Sequence, residues 1–539
     1  MPVIISQVIT SPGAGEEEII RTGLNKAGLT GAEKAGVYKT SVDARKSAAG
    51  KLLFVHTVYA ELADKAQEEA LAAQNPFISL ARSAVFETVP CAPPKNGKVV
   101  VVGFGPAGIF CALALAEQGF CPVVLERGGA METRACAVDT FWSGGALNEA
   151  CNVQFGEGGA GTFSDGKLTT RIGDPLARYV LERFAQAGAP EEILRKAKPH
   201  IGTDLLRGVI VNLRKHIESL GGTIRFDTKL AGIKADGGTI RAVITDKGEE
   251  IPAAALVLAV GHSARDTFTL CLDAGMKLEA KPFSVGARIE HRQSAVDECL
   301  YHNQAGNPLL PAGEYQLSHR DKRTGRGVYT FCMCPGGVVV PAQSEEHTIV
   351  TNGMSNHARA GQNANAAIAV SVTPEDFGTH PLDGVRFAQE IERRAFSKNT
   401  PYAAPSCTAA ALCGFQKTGL AVEPSYARGI YDVDFRTLFP PFVTQALTAG
   451  LRVFAGQMRC FGDGAAILTA PETRTSSPVR MPRDERLCAV GFDNLYPCGE
   501  GAGYAGGIVS AAVDGLRAAQ ALMQAYGSGK STGDLSRTD

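Results

Sequence analysis

Residues 99–127, VVVVGFGPAGIFCALALAEQGFCPVVLER, read as strand, tight turn, helix and strand in immediate succession. Val99–Val102 is a β-branched run without a polar break, the pattern of a parallel strand buried on both faces. Gly103, Gly105 and Gly108 follow at once, giving G-x-G-x-x-G where that spacing has a mechanism. The first glycine lets the chain turn, the second lets a pyrophosphate approach the backbone, and the third lets helix pack on strand. Pro106 suits a first helical turn, and the helix from there to about Gln118 aims its free N–H groups and positive dipole end at the phosphates. Pro122–Leu125 forms the next strand, and Glu126 ends it with a carboxylate that accepts ribose hydroxyls and repels a 2′-phosphate. The chain holds 61 glycines, so the spacing alone is weak; strand, helix and terminal acid in register make it strong.

At 539 residues the chain calls for two or three domains. With 45% apolar and 20% charged residues it has the composition of an ordinary soluble globular protein, expected in the cytoplasm. A formal net charge of −1 gives no electrostatic footprint for nucleic acid or an anionic membrane, and no apolar run approaches a membrane span. The N-terminus lacks the basic region of a secretory signal. The 14 cysteines, spread through apolar segments, read as reduced, buried thiols, and no spacing suggests a metal site.

Residues 1–90 are expected to form a small α+β domain, with strands at Val3–Ile9, Gly36–Val42 and Leu52–Tyr59 and helices at Glu16–Lys26 and Glu61–Ala73. Asp43 and Arg45 in SVDAR could contact the main body, and residues 91–97 are a proline-rich linker. The dinucleotide domain occupies 98–274 and resumes at 481–525; an inserted α+β substrate or cap domain spans 275–480, and 526–539 is a flexible tail. The glycine-rich stretch 154–168, QFGEGGAGTFSDGKL, lies against a ligand that needs close backbone approach. Thr203 is placed as the cap of a helix over Asp204–Leu220, and the strand Ala254–Val260 returns to the cofactor crevice at Gly261, with His262 and Arg265 behind it. No second glycine fingerprint opens a βαβ unit in the inserted region, so it provides no separate pyridine-nucleotide domain.

A second decisive motif lies in Leu495–Ala519, where a strand end runs through Gly499, Glu500, Gly501 and Gly503 into a helix starting near Gly506. Two helix N-termini facing one ligand imply a ligand long enough to need both, which fits FAD: Glu500 accepts a ribityl hydroxyl, and the dipole at Gly506, Gly507 and Ile508 favours negative charge on a reduced flavin.

The motifs GFGPAGIF, VQFGEGGAGTFSDGKL, GHSARDT, TFCMCPGG, NGMS, ETRTSSPVR and GEGAGYAGGIVSAAVDG resemble those of the uncharacterised FAD-dependent dehydrogenase family, also called NAD(FAD)-utilising dehydrogenases, from about residue 40 to 520. The resemblance implies an FAD domain of the glutathione-reductase type without the NADPH domain. Taken with the residue patterns, the cofactor contacts are expected at Gly103, Gly105, Pro106, Ala107, Gly108, Glu126, Arg127, Arg134, Gly158, Gly159, Gly161, Thr162, Lys167, Gly261, Gly499, Glu500, Gly506, Gly507 and Ile508.

The expected function is an FAD-dependent oxidoreductase moving hydride between flavin and a small organic substrate, with NAD(P)H visiting only transiently. Catalytic candidates are Arg474, Arg480, Cys332, Cys334 and His262. Arg474 and Arg480 suit either a carboxylate substrate or a fixed pair such as Glu472–Arg474 that anchors the cap. Two alternatives stand beside this reading: a flavin-linked thiol oxidoreductase using Cys332 and Cys334, and a non-catalytic FAD protein whose N-terminal module binds a partner.

Overall fold

The computed structural model describes residues 2–46, 51–81, 85–417, 419 and 421–527. Lys98–Val102 lies at the centre of a sheet, paired in parallel with Val123–Leu125 on one side and with Glu250–Leu258 on the other. Thr223–Arg225 extends the first side and Leu495–Pro497 the second, again in parallel. The unbroken apolar run has its reason here. Val99 and Val101 face the helices Pro106–Glu117, Thr203–Ser219 and Ile508–Gly527, while Val100 and Val102 face the opposite layer, which includes Ile240 and Phe268. Burying each such valine contributes about 2 kcal/mol.

Glu250–Leu258 starts earlier than its apolar core suggests, because its first residues pair antiparallel with Thr239–Thr245 before the strand enters the parallel sheet. Thr203 is not a cap: the helix begins at Thr203 itself after Gly202, and the Thr203 hydroxyl donates instead to the Thr162 carbonyl at 2.7 Å. With Gly202 in the cap position, the Thr203 hydroxyl serves as a donor that ties the helix start to the glycine-rich loop.

The chain leaves the first domain through Glu279–Ala280 and returns through Val479–Arg480, and these two crossings pair antiparallel. Between them a seven-stranded sheet runs in the order Ser318–Arg320, Gly327–Cys334, Asn363–Val372, Phe283–Arg292, Ile467–Glu472, Ala404–Thr408, Ile430–Asp432, with its own core against the Pro441–Gln457 helix. At the N-terminus the strands Lys34–Lys46, Lys51–Glu61, Val3–Thr10 and Ile78–Leu80 form an antiparallel sheet in that order, with helices Glu16–Lys26 and Lys65–Gln74. Ile78–Leu80 escapes the sequence reading because three residues carry little pattern. The second helix starts at Lys65 rather than Glu61 because the Asp64 side chain caps it, accepting from Ala66 N at 2.9 Å.

This small sheet docks through main chain, Thr40 exchanging hydrogen bonds with Arg195 and Ala197 at 2.8 and 3.0 Å. Asp43 lines a cavity of about 610 Å³ shared with Cys299, Leu300 and His302 of the inserted domain. The Arg45 side chain and the tail from residue 528 lie outside the described residues. Among the described residues no helix is long and apolar enough to cross a membrane.

Candidate active site

The strand end at Val102 delivers the chain into Gly103, whose φ of 98° and whose distance of 2.3 Å from an added Cβ to the Ala259 carbonyl oxygen exclude a larger residue. Pro106 takes the first helical position and Ala107 follows it inward, with a Cβ on Gly499 2.7 Å from the Ala107 Cβ. A Cβ on Gly515 would lie 2.1 Å from the Ala107 carbonyl oxygen, and one on Gly108 would lie 1.9 Å from that of Gly103. The Pro106–Glu117 and Ile508–Gly527 helices therefore pack backbone to backbone, with their N-termini at the same edge of the sheet. The glycine-rich loop closes over both: a Cβ on Gly159 would lie 2.9 Å from Gly105 Cα, and one on Gly161 would lie 3.0 Å from Ile508 Cγ1. Gly158 N donates to the Phe104 carbonyl at 2.8 Å and pins the loop there.

Glu126 sits where the sequence puts it, but its buried carboxylate already accepts N–H bonds from Phe104, Gly128 and Gly156 at 2.8–2.9 Å. About one of its four lone-pair directions is left for a ribose hydroxyl. Arg134 is fully buried and donates to the carbonyls of Asn152, Val153, Gly156 and Glu157, so it shapes the loop from beneath. Arg127 is paired with Asp266 at 2.8 Å and lies 4.3 Å over the Phe155 ring. The Thr162 hydroxyl turns back to the Glu157 carbonyl at 3.4 Å. Lys167 lies 2.8 Å from Asp165 and 3.7 Å from Glu314. Asp165 also receives Arg359 and the Ser355 hydroxyl, tying the loop to the inserted domain.

On the other strand end, Gly261 faces Gly501, where an added Cβ would stand 2.5 Å from the Gly261 carbonyl oxygen. Gly506 N turns to Ser510 Oγ at 3.1 Å, and Gly507, with φ 127°, leads into the helix at Ile508. Glu500 is half-buried, and among the described residues nothing hydrogen-bonds its carboxylate. Burial, only partly opposed by Lys281, pushes its pKa up to about 7. His262 bonds Ser263 Oγ at 2.9 Å. Burial first, then Arg474 and Arg265, lower its pKa to about 3, so the imidazole is neutral at physiological pH.

Where the inserted domain meets the first, Arg265 grips Glu392 at 2.7 and 2.8 Å and Glu345 at 2.8 Å. Arg474 lies 3.4 Å from Glu392 and also donates to Ser344. Its side chain is 4% exposed. Thus Arg474 pairs with Glu392 rather than Glu472, inside the inserted domain, and the cation that crosses from the first domain to the same carboxylate is Arg265. Glu472, opposite Gly286 on the neighbouring strand, is instead 3.2 Å from the buried Arg288. Burial alone would raise the Glu392 pKa, but Arg265 and Arg474 bring it down to about 2. Arg480 is exposed, 5.1 Å over the Tyr504 ring.

Cys332 and Cys334 are free thiols at the end of the Gly327–Cys334 strand, Cys332 half-buried and Cys334 buried, with the Arg288 guanidinium reaching Cys334 Sγ at 3.7 Å. Arg288, Glu392, Asp165 and Lys281 were not legible as site residues. For Arg288 a faint signal exists, charged Arg288 and Glu290 recurring at period two between Val285, Ala287 and Ile289 in the Phe283–Arg292 strand. Among the described residues no group of three or more His, Cys, Asp or Glu is arranged to hold a metal ion.

Two helix N-termini, a glycine-rich loop packed backbone to backbone against them, and a desolvated acid without a hydrogen-bond partner among the described residues fit a dinucleotide-length anion with hydroxyls, as FAD is. Residues 282–475 match the family described as "FAD-dependent protein, C-terminal domain-like". An uncharacterised protein of Clostridium beijerinckii (strain ATCC 51743 / NCIMB 8052) is 43% identical over 501 residues, 91% of this chain and 92% of that one. Among solved structures, NikD, an unusual amino acid oxidase essential for nikkomycin biosynthesis, is 15% identical over 82% of this chain and 97% of its own, at a TM-score of 0.37. The L-amino acid deaminase of Proteus vulgaris is 13% identical over 83% and 93%, at a TM-score of 0.34.

Proposed function

The chain belongs to the FAD-dependent protein family, with FAD as its cofactor, and from that premise we propose an oxidoreductase that moves hydride between the flavin and a small organic substrate. The observation that carries this reading is that one glycine-rich loop lies against both helix starts, Gly159 against Gly105 before Pro106 and Gly161 against Ile508. Bound FAD supplies the hydride chemistry; the chain binds, orients and tunes it. The Gly103–Gly108 turn holds the pyrophosphate, Glu126 holds the ribose through its remaining acceptor direction, and Glu500 with the Gly506–Ile508 backbone faces the flavin end. An FAD domain of the glutathione-reductase type is part of the same reading.

Substrate enters from the inserted-domain side. With Arg474 taken up by Glu392, the cations there that make no ion pair among the described residues are Lys281, which meets Glu500 only at longer range, and Arg480, both against the Gly503 turn, and an anionic substrate would be drawn to them. NAD(P)H, lacking a domain of its own, reaches the flavin only transiently. A reducing, cytoplasmic setting agrees with the free cysteines.

The test is the visible spectrum of purified protein followed by anaerobic addition of NADH, NADPH and dithionite. The expected result is heat-released FAD, complete reduction by dithionite, and slow or weakly saturating reduction by either nicotinamide. Release of FMN or NAD, or of no cofactor, overturns the reading.

A further inference from the structure

We infer that Cys332 and Cys334 form a reversible dithiol–disulfide pair that exchanges two electrons with the bound FAD, and that the substrate on its far side is a thiol or disulfide compound reaching Cys332. This rests on the flavin reading above and names its substrate class.

The first support is backbone geometry. Residues two apart on an extended strand lie about 6.6 Å apart at Cα, near the upper limit a disulfide spans. Here the strand register breaks between Phe331 and Cys334, and Cys332 takes φ 43°, folding the chain where the two thiols need to meet. Arg288 holds the kink by donating to the Cys332 carbonyl at 2.7 Å, and is itself fixed by Asn365 Oδ1 at 2.7 and 3.0 Å and by Glu472.

The second support is the division of labour. Cys334 is buried and turns its thiol to the Cys332 carbonyl at 3.3 Å, whereas Cys332 is half-buried and reachable. The strongest influence on each thiol is the other, lowering the Cys332 pKa and raising that of Cys334; the charge of Arg288, then that of Lys167, also favours the Cys332 thiolate. Burial pushes Cys111, Cys271 and Cys407 the opposite way, up to about 12. An attacking thiolate beside a shielded resolving thiol is the arrangement of an exchanging pair.

The third support is position. The turn after the pair packs on the residue that holds the glycine-rich loop, since a Cβ on Gly336 would stand 1.9 Å from the carbonyl oxygen of Arg359, which donates to Asp165 at 3.0 Å; Cys332 is also within electrostatic reach of Lys167 in that loop and of Glu500 in the second. In the oxidising direction the two S–H bonds break and one S–S bond forms, and the two electrons and two protons released reduce FAD to FADH2. The reverse step restores both thiols. At Cys332 a substrate disulfide is reduced, or a substrate dithiol oxidised, by ordinary exchange.

The test is anaerobic dithionite titration of the full-length, FAD-loaded protein, first oxidised with ferricyanide and desalted, with alkylation and mass mapping of the two cysteines before and after the titration. The wild type is expected to take up about four electrons per flavin, since each two-electron couple counts separately. Cys332→Ser and Cys334→Ser should each take up about two, and Cys407→Ser should behave as wild type. Oxidised glutathione, as the probe disulfide, should reoxidise the reduced wild type and not Cys332→Ser. Uptake of two electrons by flavin-loaded wild type, with both cysteines alkylated before reduction, overturns the pair and leaves the flavin reading standing. Protein that binds no flavin overturns both.

Discussion

Glu392 and Glu500 both lie near the boundary between the inserted and cofactor domains, yet their surroundings drive them in opposite directions. Glu392 is buried among Arg265, Arg474 and the Thr473 hydroxyl, and its pKa falls to about 2. Glu500 is desolvated without a hydrogen-bond partner among the described residues, and its pKa rises to about 7. Burial raises a carboxyl in both places; partners decide the outcome. A region where every charge is answered is architecture, and a region where an acid and two helix ends are left unanswered is built for a ligand.

The largest effect that would break this comparison is at the saturated end. Glu392→Gln removes the charge two buried arginines share, leaving Arg265 with Glu345 and Arg474 with Ser344, and should cost about 3 kcal/mol. Denaturant unfolding of the variant with full flavin loading checks it; a wild-type midpoint would mean that the seam holds nothing together.

Acid should probe the same residue in the wild type. A carboxyl whose folded pKa is depressed contributes stability above its unfolded pKa and loses it as pH falls through the folded value. For Glu392 that window runs from its ordinary 4.5 down to about 2 and amounts to about 3 kcal/mol. Melting curves across it should slope steeply for wild type and flatten in Glu392→Gln.

At the unanswered end, Gly105→Val should leave the fold in place, since the nearest atom to its added Cβ is Gly159 Cα at 3.6 Å, while its branches take the space a pyrophosphate needs to approach the turn. Overpacking of this kind costs about 1–3 kcal/mol, or about 10–100-fold in flavin affinity, read from the flavin-to-protein absorbance ratio.

Glu500 gives a smaller effect of opposite sign to Glu392. A carboxyl raised in the fold is favourable below its ordinary 4.5 and loses stability as pH climbs to about 7. Flavin-free Glu500→Gln should therefore be more stable than flavin-free wild type above pH 7, by about 1–2 kcal/mol after allowing for its partial exposure, and closest to it near pH 4. The smallest effect belongs to Arg480→Ala: an exposed stack on Tyr504 should change stability by no more than about 0.5 kcal/mol, seen as an unshifted melting temperature.

What the chain determined by itself is local. Val99–Val102 announces a strand buried on both faces, Gly103 to Gly108 a turn no side chain fits, and Gly499 to Ile508 a second helix start, because periodicity and steric allowance operate within one or two turns of chain. Only the tertiary structure decided which charges are free. Arg474 finds its partner in Glu392, 82 residues away, not in its neighbour Glu472; Glu126 is largely occupied by amides of its own loops; and Thr203 leaves its helix end for Thr162. The reason is range: a carboxylate's partner is set by whichever donor packing brings within about 3 Å, and that donor comes from a strand or loop whose distance along the sequence carries no signal.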